Sequence, residues 1–293
     1  MAQLPDPART SGATTPVWLG TAPALPPFAP LTENASADVV IVGGGIAGLT
    51  TAYLLGQEGR RVLLLEDGEL ASGETGRTTA HLSYALDDRY LTLEHLFGRD
   101  GARLAAESHA AAIDTIEHIV RRHRLDCDFT RLDGYLFLPA TGRPQELHDE
   151  LAAAHRAGLA GVEHRTQAGT TGFEPGECLR WPGQGQFHIL KYLAGLVAAI
   201  GQQGGRICTR TRVAEVHGGP QAHVVTADGL TATATHGIVV ATNTPFNDRV
   251  VMHTKQAPYR TYAIAVRIPK GSVTKALYWD TADPYHYVRL QQE

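Results

Sequence analysis

Cysteine is scarce: three residues in 293, Cys127, Cys178 and Cys208, with no C-x-x-C pair. So sparse and odd a set excludes a disulfide scaffold and fits free thiols in a reducing compartment, so a cytoplasmic location is expected. A basic excess is missing too. The formal net charge of −4 gives no reason to expect nucleic acid as a partner. No apolar run reaches the roughly 20 residues of a membrane span. The first ten residues hold one Arg and no apolar h-region, so neither a secretory signal nor a membrane partner is expected. The fourteen histidines lack metal-ligand spacing. His148 and His155 stand seven apart, about 10 Å along a helix axis. His109, His118 and His123 do not share an i, i+4 spacing, and there is no H-E-x-x-H. No metal site is expected.

What is present is a soluble globular composition, 43% apolar and 19% charged, in a chain long enough for two domains. Residues 39–66 read VVIVGGGIAGLTTAYLLGQEGRRVLLLE. A β-branched run, Val39 to Val42, meets a G-x-G-x-x-G turn made by Gly43, Gly45 and Gly48, with Ile46 and Ala47 opening a helix. A second apolar run, Val62 to Leu65, ends on Glu66. This is the βαβ dinucleotide fingerprint in its required context. Gly43 permits the tight turn, Gly45 lets backbone N–H groups approach a pyrophosphate, and Gly48 lets helix and sheet pack closely. The helix N-terminus supplies partial positive charge for the phosphates. Glu66 stands where an acid accepts hydrogen bonds from an adenosine ribose. The polar loop ASGETGRTTAHL (71–82) follows, with small residues suited to a backbone running close to a ligand.

Further along, apolar periodicity predicts a helix over 101–124 with Leu104, Ala112, Ile116, Ile119 and Val120 in its stripe. A short strand is expected at Tyr135–Leu138 after an Asp133-Gly134 turn. A helix over Gln145–Ala157 should end at Gly158, and a short strand is expected within Ala160–Arg165. RWPGQGQFH (180–188) reads as a loop, and Leu190–Ile200 as a helix. Strands are expected at 206–216 and 222–226, split by Gly218-Gly219-Pro220, and a short buried strand at His236–Ala241. The Pro-rich leader from Pro5 to Pro30 reads as an extended arm without helix, whose Trp18, Leu19, Leu25 and Phe28 either pack on the body or trail free. From Tyr259 the alternation in YRTYAIAVRI and YHYVRL argues for strands with two faces. Tyr285, Tyr287 and Arg289 share one of them, either a site for an anionic or amine substrate or a solvated sheet face.

Taken together, the nucleotide segment, the ASGETGRTTAH loop, GQGQFHILKYLAGL and VVATNTPFN resemble the FAD-dependent D-amino-acid-oxidase-like oxidoreductases, the group of glycine and sarcosine oxidases. VWLGTAP and GRTTAH look more narrowly like the bacterial branch with a C-terminal Rieske [2Fe–2S] domain. The resemblance runs from about residue 17 to the end. It implies FAD as cofactor, with Gly43, Gly45, Ile46, Ala47, Gly48 and Glu66 at its pyrophosphate and ribose. It implies Arg77, Thr78 and Thr79 near the flavin pyrophosphate, Val213 at the adenine, and Ala241 and Thr242 against the cofactor. It implies an α/β fold, α+β in the second domain. A Rossmann-like FAD-binding domain (38–90 and 181–252) would be interleaved with a smaller mixed-sheet substrate domain (91–180 and 253–293), behind an N-terminal arm (1–37). Relatives continue past this point, so the chain is expected to be C-terminally incomplete and its activity is open.

The implied activity is oxidation of the C–N bond of a small amine or amino acid by hydride transfer to the flavin. Tyr285, Tyr287, Arg289 and Arg260 are the substrate-side candidates, because an Arg can pair bidentately with a carboxylate. The electron acceptor is open. Two other readings stand: an NAD-dependent dehydrogenase, which Glu66 suits equally well, and an FAD-binding remnant without turnover.

Overall fold

The structure, a computed structural model, describes residues 15–22, 24–245 and 261–291. The fold is α/β and divides into two compact units, Met1–Thr78 with Ile189–Tyr262, and Thr79–His188 with Ala263–Glu293. The chain changes unit at 78/79 and 188/189, inside the segments 38–90 and 181–252 that sequence assigns to one domain. The first unit takes in the described residues of the N-terminal arm.

The first unit is built on a six-stranded sheet. Its strands are β1 (Ala35–Val42), β2 (Val62–Leu65), β7 (Arg206–Cys208), β8 (Val213–His217), β9 (His223–Thr226) and β10 (Thr231–Val240), in the order β7-β2-β1-β10-β9-β8. The four strands β7, β2, β1 and β10 are parallel; β9 and β8 continue the sheet antiparallel. Parallel strands lie under cover on both faces, so they read as unbroken apolar runs rather than alternations. All four residues of β2 and the last four of β1 are accordingly buried. Helix α2 (Ile46–Gln57) joins β1 to β2 and buries Leu49, Ala52 and Tyr53. After β2 the chain leaves for the second unit and returns as α5 (Ile189–Gln202), which leads into β7 beside β2.

Three expectations for this unit change. Residues 206–216 do not form one strand but supply β7 and β8 on opposite edges of the sheet. The break lies at Thr209–Arg212, where Arg210 takes φ +49°. There the Thr211 amide donates to Glu66 O and the Arg210 amide to Gly68 O, across the end of β2. Second, β10 starts at Thr231 rather than His236, and Val240 is 45% exposed. β9 pairs with Thr231–Thr233, so among the described residues the later part of β10 is partnered on one side, by β1. Third, the leader contains a short helix, α1 (Val17–Thr21). Trp18 is buried while Leu19 is exposed.

The second unit carries β3 (His81–Leu82), α3 (Tyr90–His123), β4 (Thr130–Phe137), α4 (Pro144–Arg156), β5 (Glu163–Arg165), β6 (Cys178–Gln186), β11 (Leu277–Asp280) and β12 (Tyr287–Arg289). Its sheet runs β12-β11-β4-β6-β3, with β5 also on β6. Most of segment 180–188, expected as a loop, lies in β6 (Cys178–Gln186), on which β3, β4 and β5 all pair. Its Pro and Gly sit at a bulge, where Pro182 and Gly183 (φ +66°) oppose the single residue Asp133. Asp133-Gly134 is therefore interior to β4 and no turn. Helix α3 begins at Tyr90, well before residue 101, and is kinked at Gly98 (φ 72°). It buries Ala102, Ala106, Ile113 and Ile119, whereas Leu104 is exposed. Its first amides, at Tyr90 and Leu91, donate to the buried Glu150 carboxylate of α4, supplying acceptors that a helix start lacks. α4 ends as expected, with Gly158 at φ +92°. The described part of the alternating run after Tyr259 forms no strand: Tyr262, Ile264 and Val266 are exposed.

Candidate functional site

At the carboxyl ends of β1, β2 and β10 the chain shapes a cradle. Gly43 follows β1 with φ +114°, a conformation other residues rarely adopt, and a Cβ there would lie 2.6 Å from Ala241 O. Ala241 is held in turn by its amide, which donates to Val42 O at 2.8 Å. A Cβ on Gly48 would fall 1.9 Å from Gly43 O, so the first turn of α2 fits against the strand end only with glycine there. Gly45 is the residue before the helix, and no side chain caps it. The Ile46 amide is taken by Thr75 Oγ1 at 3.2 Å. The amides of Ala47 and Gly48, in the first turn, have no acceptor within the helix.

Glu66 closes the cradle. Its carboxylate accepts the Gly44 amide on one oxygen and the Gly68 amide, at 2.9 Å, on the other. A carboxylate offers about four acceptor positions, so two bonds hold its orientation and leave capacity for ribose hydroxyls. The sequence pointed to Glu66 and to the polar loop that holds Thr75, but not to Gly44 or Gly68, whose amides meet Glu66 only once the chain folds back over the helix start. Arg77 ends a 3₁₀ turn, Glu74–Arg77, and the Thr78 carbonyl accepts the Trp18 indole N–H at 2.7 Å. Val213 is the buried first residue of β8, opposite Thr226. The Thr242 hydroxyl donates to Thr244 O at 3.0 Å. Gly43, Gly45, Ile46, Ala47, Gly48, Glu66 and Ala241 thus converge around one strand-to-helix turn.

In the second unit, Tyr285 and Tyr287 lie with ring centroids 5.9 Å apart, and the Tyr285 hydroxyl donates to Asp87 at 3.0 Å. Burial, followed by the adjoining Asp87, pushes the Tyr285 phenol up to about 12. Arg289 is embedded in backbone: its guanidinium donates to Thr79 O, and at 2.8 Å to Phe187 O. Burial lowers it to about 10. Arg260 lies outside the described residues. A neighbour that sequence reading passed over is His81, edge-on to Tyr287 at 5.7 Å. Burial, reinforced by Arg289, lowers its imidazole to about 4, and its Nε2 is buried without a hydrogen-bond partner among the described residues. Its place in the GRTTAH loop was the available signal. His148, His164 and Glu177 also converge, with ligand atoms within 4.8 Å of one another. They come from three separate elements, which spacing along the chain could not show.

Comparison with known proteins bears on the first unit's cradle. The sequence pattern of the DAO family, described as FAD dependent oxidoreductase, matches residues 38–293. The chain belongs to this family. It is 33% identical over 261 residues to the Rieske-named 2Fe-2S iron-sulfur protein YhfW of Bacillus subtilis, covering 89% of this chain and 50% of that protein. It is 28% identical over 243 residues to gamma-glutamylputrescine oxidoreductase of Escherichia coli, covering 81% and 56%. The fold resembles glycine oxidase from Geobacillus kaustophilus, with TM-score 0.54 and 20% identity over 71% of this chain and 56% of that one. The chain spans about half the length of the curated relatives it matches.

The residues present fit the family's cofactor, FAD. A glycine-lined strand end, the first-turn amides of Ala47 and Gly48 and a fixed carboxylate with spare acceptor capacity are the donors and acceptors that a diphosphate and a ribose require. Nicotinamide use is not favoured. The chain leaves the first unit after β2 instead of repeating βα units, and the matching family is flavin-dependent. Among the described residues, no helix is long and apolar enough to cross a membrane.

Proposed function

We propose that this chain works as a flavin-dependent oxidoreductase that oxidises the C–N bond of a small amine or amino acid. The observation that carries the reading is the cradle around Gly43 and Gly48 in a chain of the FAD-dependent family. Gamma-glutamylputrescine oxidoreductase and glycine oxidase, by their names, act on an amine and an amino acid, which supports that substrate class. When bound, FAD would supply the hydride acceptor.

The residues of this chain bind and position. The first-turn amides, at Ala47 and Gly48 with Gly45 before them, would take the diphosphate at the positive end of α2. Glu66 would accept the ribose hydroxyls, and Val213, Ala241 and Thr242 would present backbone to the nucleotide. Arg77 and Thr78 would lie along the pyrophosphate, in a loop that Trp18 anchors, and Thr79 would follow them. Tyr285 and Tyr287 would hydrogen-bond the substrate. Arg289 is a positioning residue in this scheme, since it already holds the Thr79 and Phe187 carbonyls. Buried cysteines without disulfides support a reducing, cytoplasmic setting, and the charge balance supports no nucleic-acid partner.

The test is direct. Purified protein should be yellow and release FAD on denaturation, and Glu66→Ala should lose most of that flavin. Anaerobic addition of amines and amino acids should bleach the flavin band for one of them. Colourless protein that takes up NADH would refute the cofactor; stable flavin that no amine bleaches would refute the substrate class.

A further inference from the structure

We propose that His148, His164 and Glu177 bind one divalent transition-metal ion of the zinc class, joining α4 to the edge formed by β5 and β6. The site lies wholly within the second unit and does not rest on the flavin reading. His148 projects from α4, His164 from β5, and Glu177 immediately precedes β6, where His164 pairs with Leu179 and Arg165 with Cys178. The two imidazoles meet at 5.0 Å between centroids, 58° apart. His164 Nε2 is hydrogen-bonded to Glu177 Oε1 at 2.8 Å. His148 is exposed and has no hydrogen-bond partner among the described residues, so it enters a site with its coordinating capacity intact.

The chemistry selects the metal. Two imidazoles and one carboxylate form a mixed nitrogen–oxygen set that suits zinc, copper or nickel, whereas magnesium and calcium favour oxygen alone. Three protein ligands leave a fourth position for water, as a tetrahedral zinc ion permits. With bonds near 2.0–2.2 Å, tetrahedral donors stand about 3.4 Å apart. The three ligand atoms already lie within 4.8 Å of one another, a gap that rotation of the exposed His148 side chain can close. Coordination by His164 Nε2 takes the place of its hydrogen bond to Glu177. An ordinary His–Glu pair explains His164 and Glu177, but gives no role to the second imidazole beside them.

The experiment uses the full chain without a histidine tag, stripped with chelator and titrated with zinc chloride at neutral pH by calorimetry, alongside thermal unfolding. The expected result is uptake of one zinc per chain with a rise in Tm, and no such uptake of magnesium. His148→Ala should lose both the stoichiometric uptake and the Tm rise. Because His148 is exposed, this variant should keep the metal-free Tm of the parent, which separates lost ligation from misfolding. Glu177→Gln should bind more weakly than the parent. Absence of one-to-one zinc uptake by the parent, or equal uptake by parent and His148→Ala, would overturn the site.

Discussion

A carbonyl oxygen 1.9 Å from where a methyl would sit decides more at Gly48 than any intrinsic helix preference. Gly48→Ala must push the first turn of α2 away from Gly43, and loss of retained flavin is expected, read from the absorbance of purified protein. Gly201→Ala is the matched control: it lies in α5 with nothing within 4 Å of the added carbon. There, relief of the glycine entropy cost should stabilise by up to about 1 kcal/mol in denaturant unfolding. His81 predicts a pH effect. The folded imidazole takes up a proton only near 4, the unfolded one through its ordinary 6.5. Between those values the unfolded chain binds more protons, so acidification from 6.5 to 4 should cost up to roughly 3 kcal/mol. Urea midpoints measured across that window should fall in the parent and flatten in His81→Gln; parallel curves would refute the assignment. At Asp38 the sign has the same direction in a lower window. The Arg61 amide, then its guanidinium, hold the carboxyl at about 2, and its contribution is lost as pH drops from 3.8 through that value.

Among elements, two joints carry testable weight. α1 is only five residues, yet it seats Trp18 in the first unit and ties its indole to the Thr78 carbonyl. Trp18→Ala should free the Glu74–Thr78 loop, seen as faster amide hydrogen exchange there with the amides of β1 and β2 still protected. The second joint is Glu150, whose carboxylate receives the Tyr90 and Leu91 amides at the start of α3. Glu150→Ala leaves the buried Tyr90 amide and the half-buried Leu91 amide unmet, and a loss of roughly 2 kcal/mol is expected in chemical denaturation. The extended run containing Tyr262, Ile264 and Val266 shows alternate apolar side chains to solvent, 76–92% exposed. An exposed segment of alternating apolar residues, though not a strand here, invites β-pairing with other chains. Ile264→Lys with Val266→Lys should delay aggregation by light scattering while leaving Tm unchanged.

For the whole molecule, the first unit's sheet is completed only when the chain returns from the second unit to lay β7 beside β2 and β10 beside β1. A ligand bound at the ends of β1, β2 and β10 therefore favours the folded state of segments far apart in sequence. FAD at a hundredfold excess over its Kd should add about 2.7 kcal/mol to stability, measurable as a Tm rise over the stripped protein. Zinc should raise Tm independently of FAD, because its three ligands belong to the other unit. Thermal scans with each alone and both together would show additive shifts.

The sequence by itself determined what lies within one contiguous stretch. Residues 39–66 contain both strands, the helix, the glycines and the acid, so their pattern specified the parallel β1–α2–β2 unit and the nucleotide reading. Helices α4 and α5 were legible for the same reason, since their apolar stripes repeat locally. Tertiary structure decided what depends on partners distant in the chain. Pro182-Gly183 reads as a loop until β4 supplies a strand for it to bulge against, and residues 209–212 read as strand until they must cross the end of β2. The alternation in 261–268 matches a strand that gains no partner among the described residues, whereas Leu277–Asp280 becomes one by lying beside β4. His81 beside Tyr287, and His148 beside His164, are likewise juxtapositions of separate elements. A side chain's neighbours across a sheet or between helix and sheet are set by packing of remote segments, and local periodicity carries no record of them.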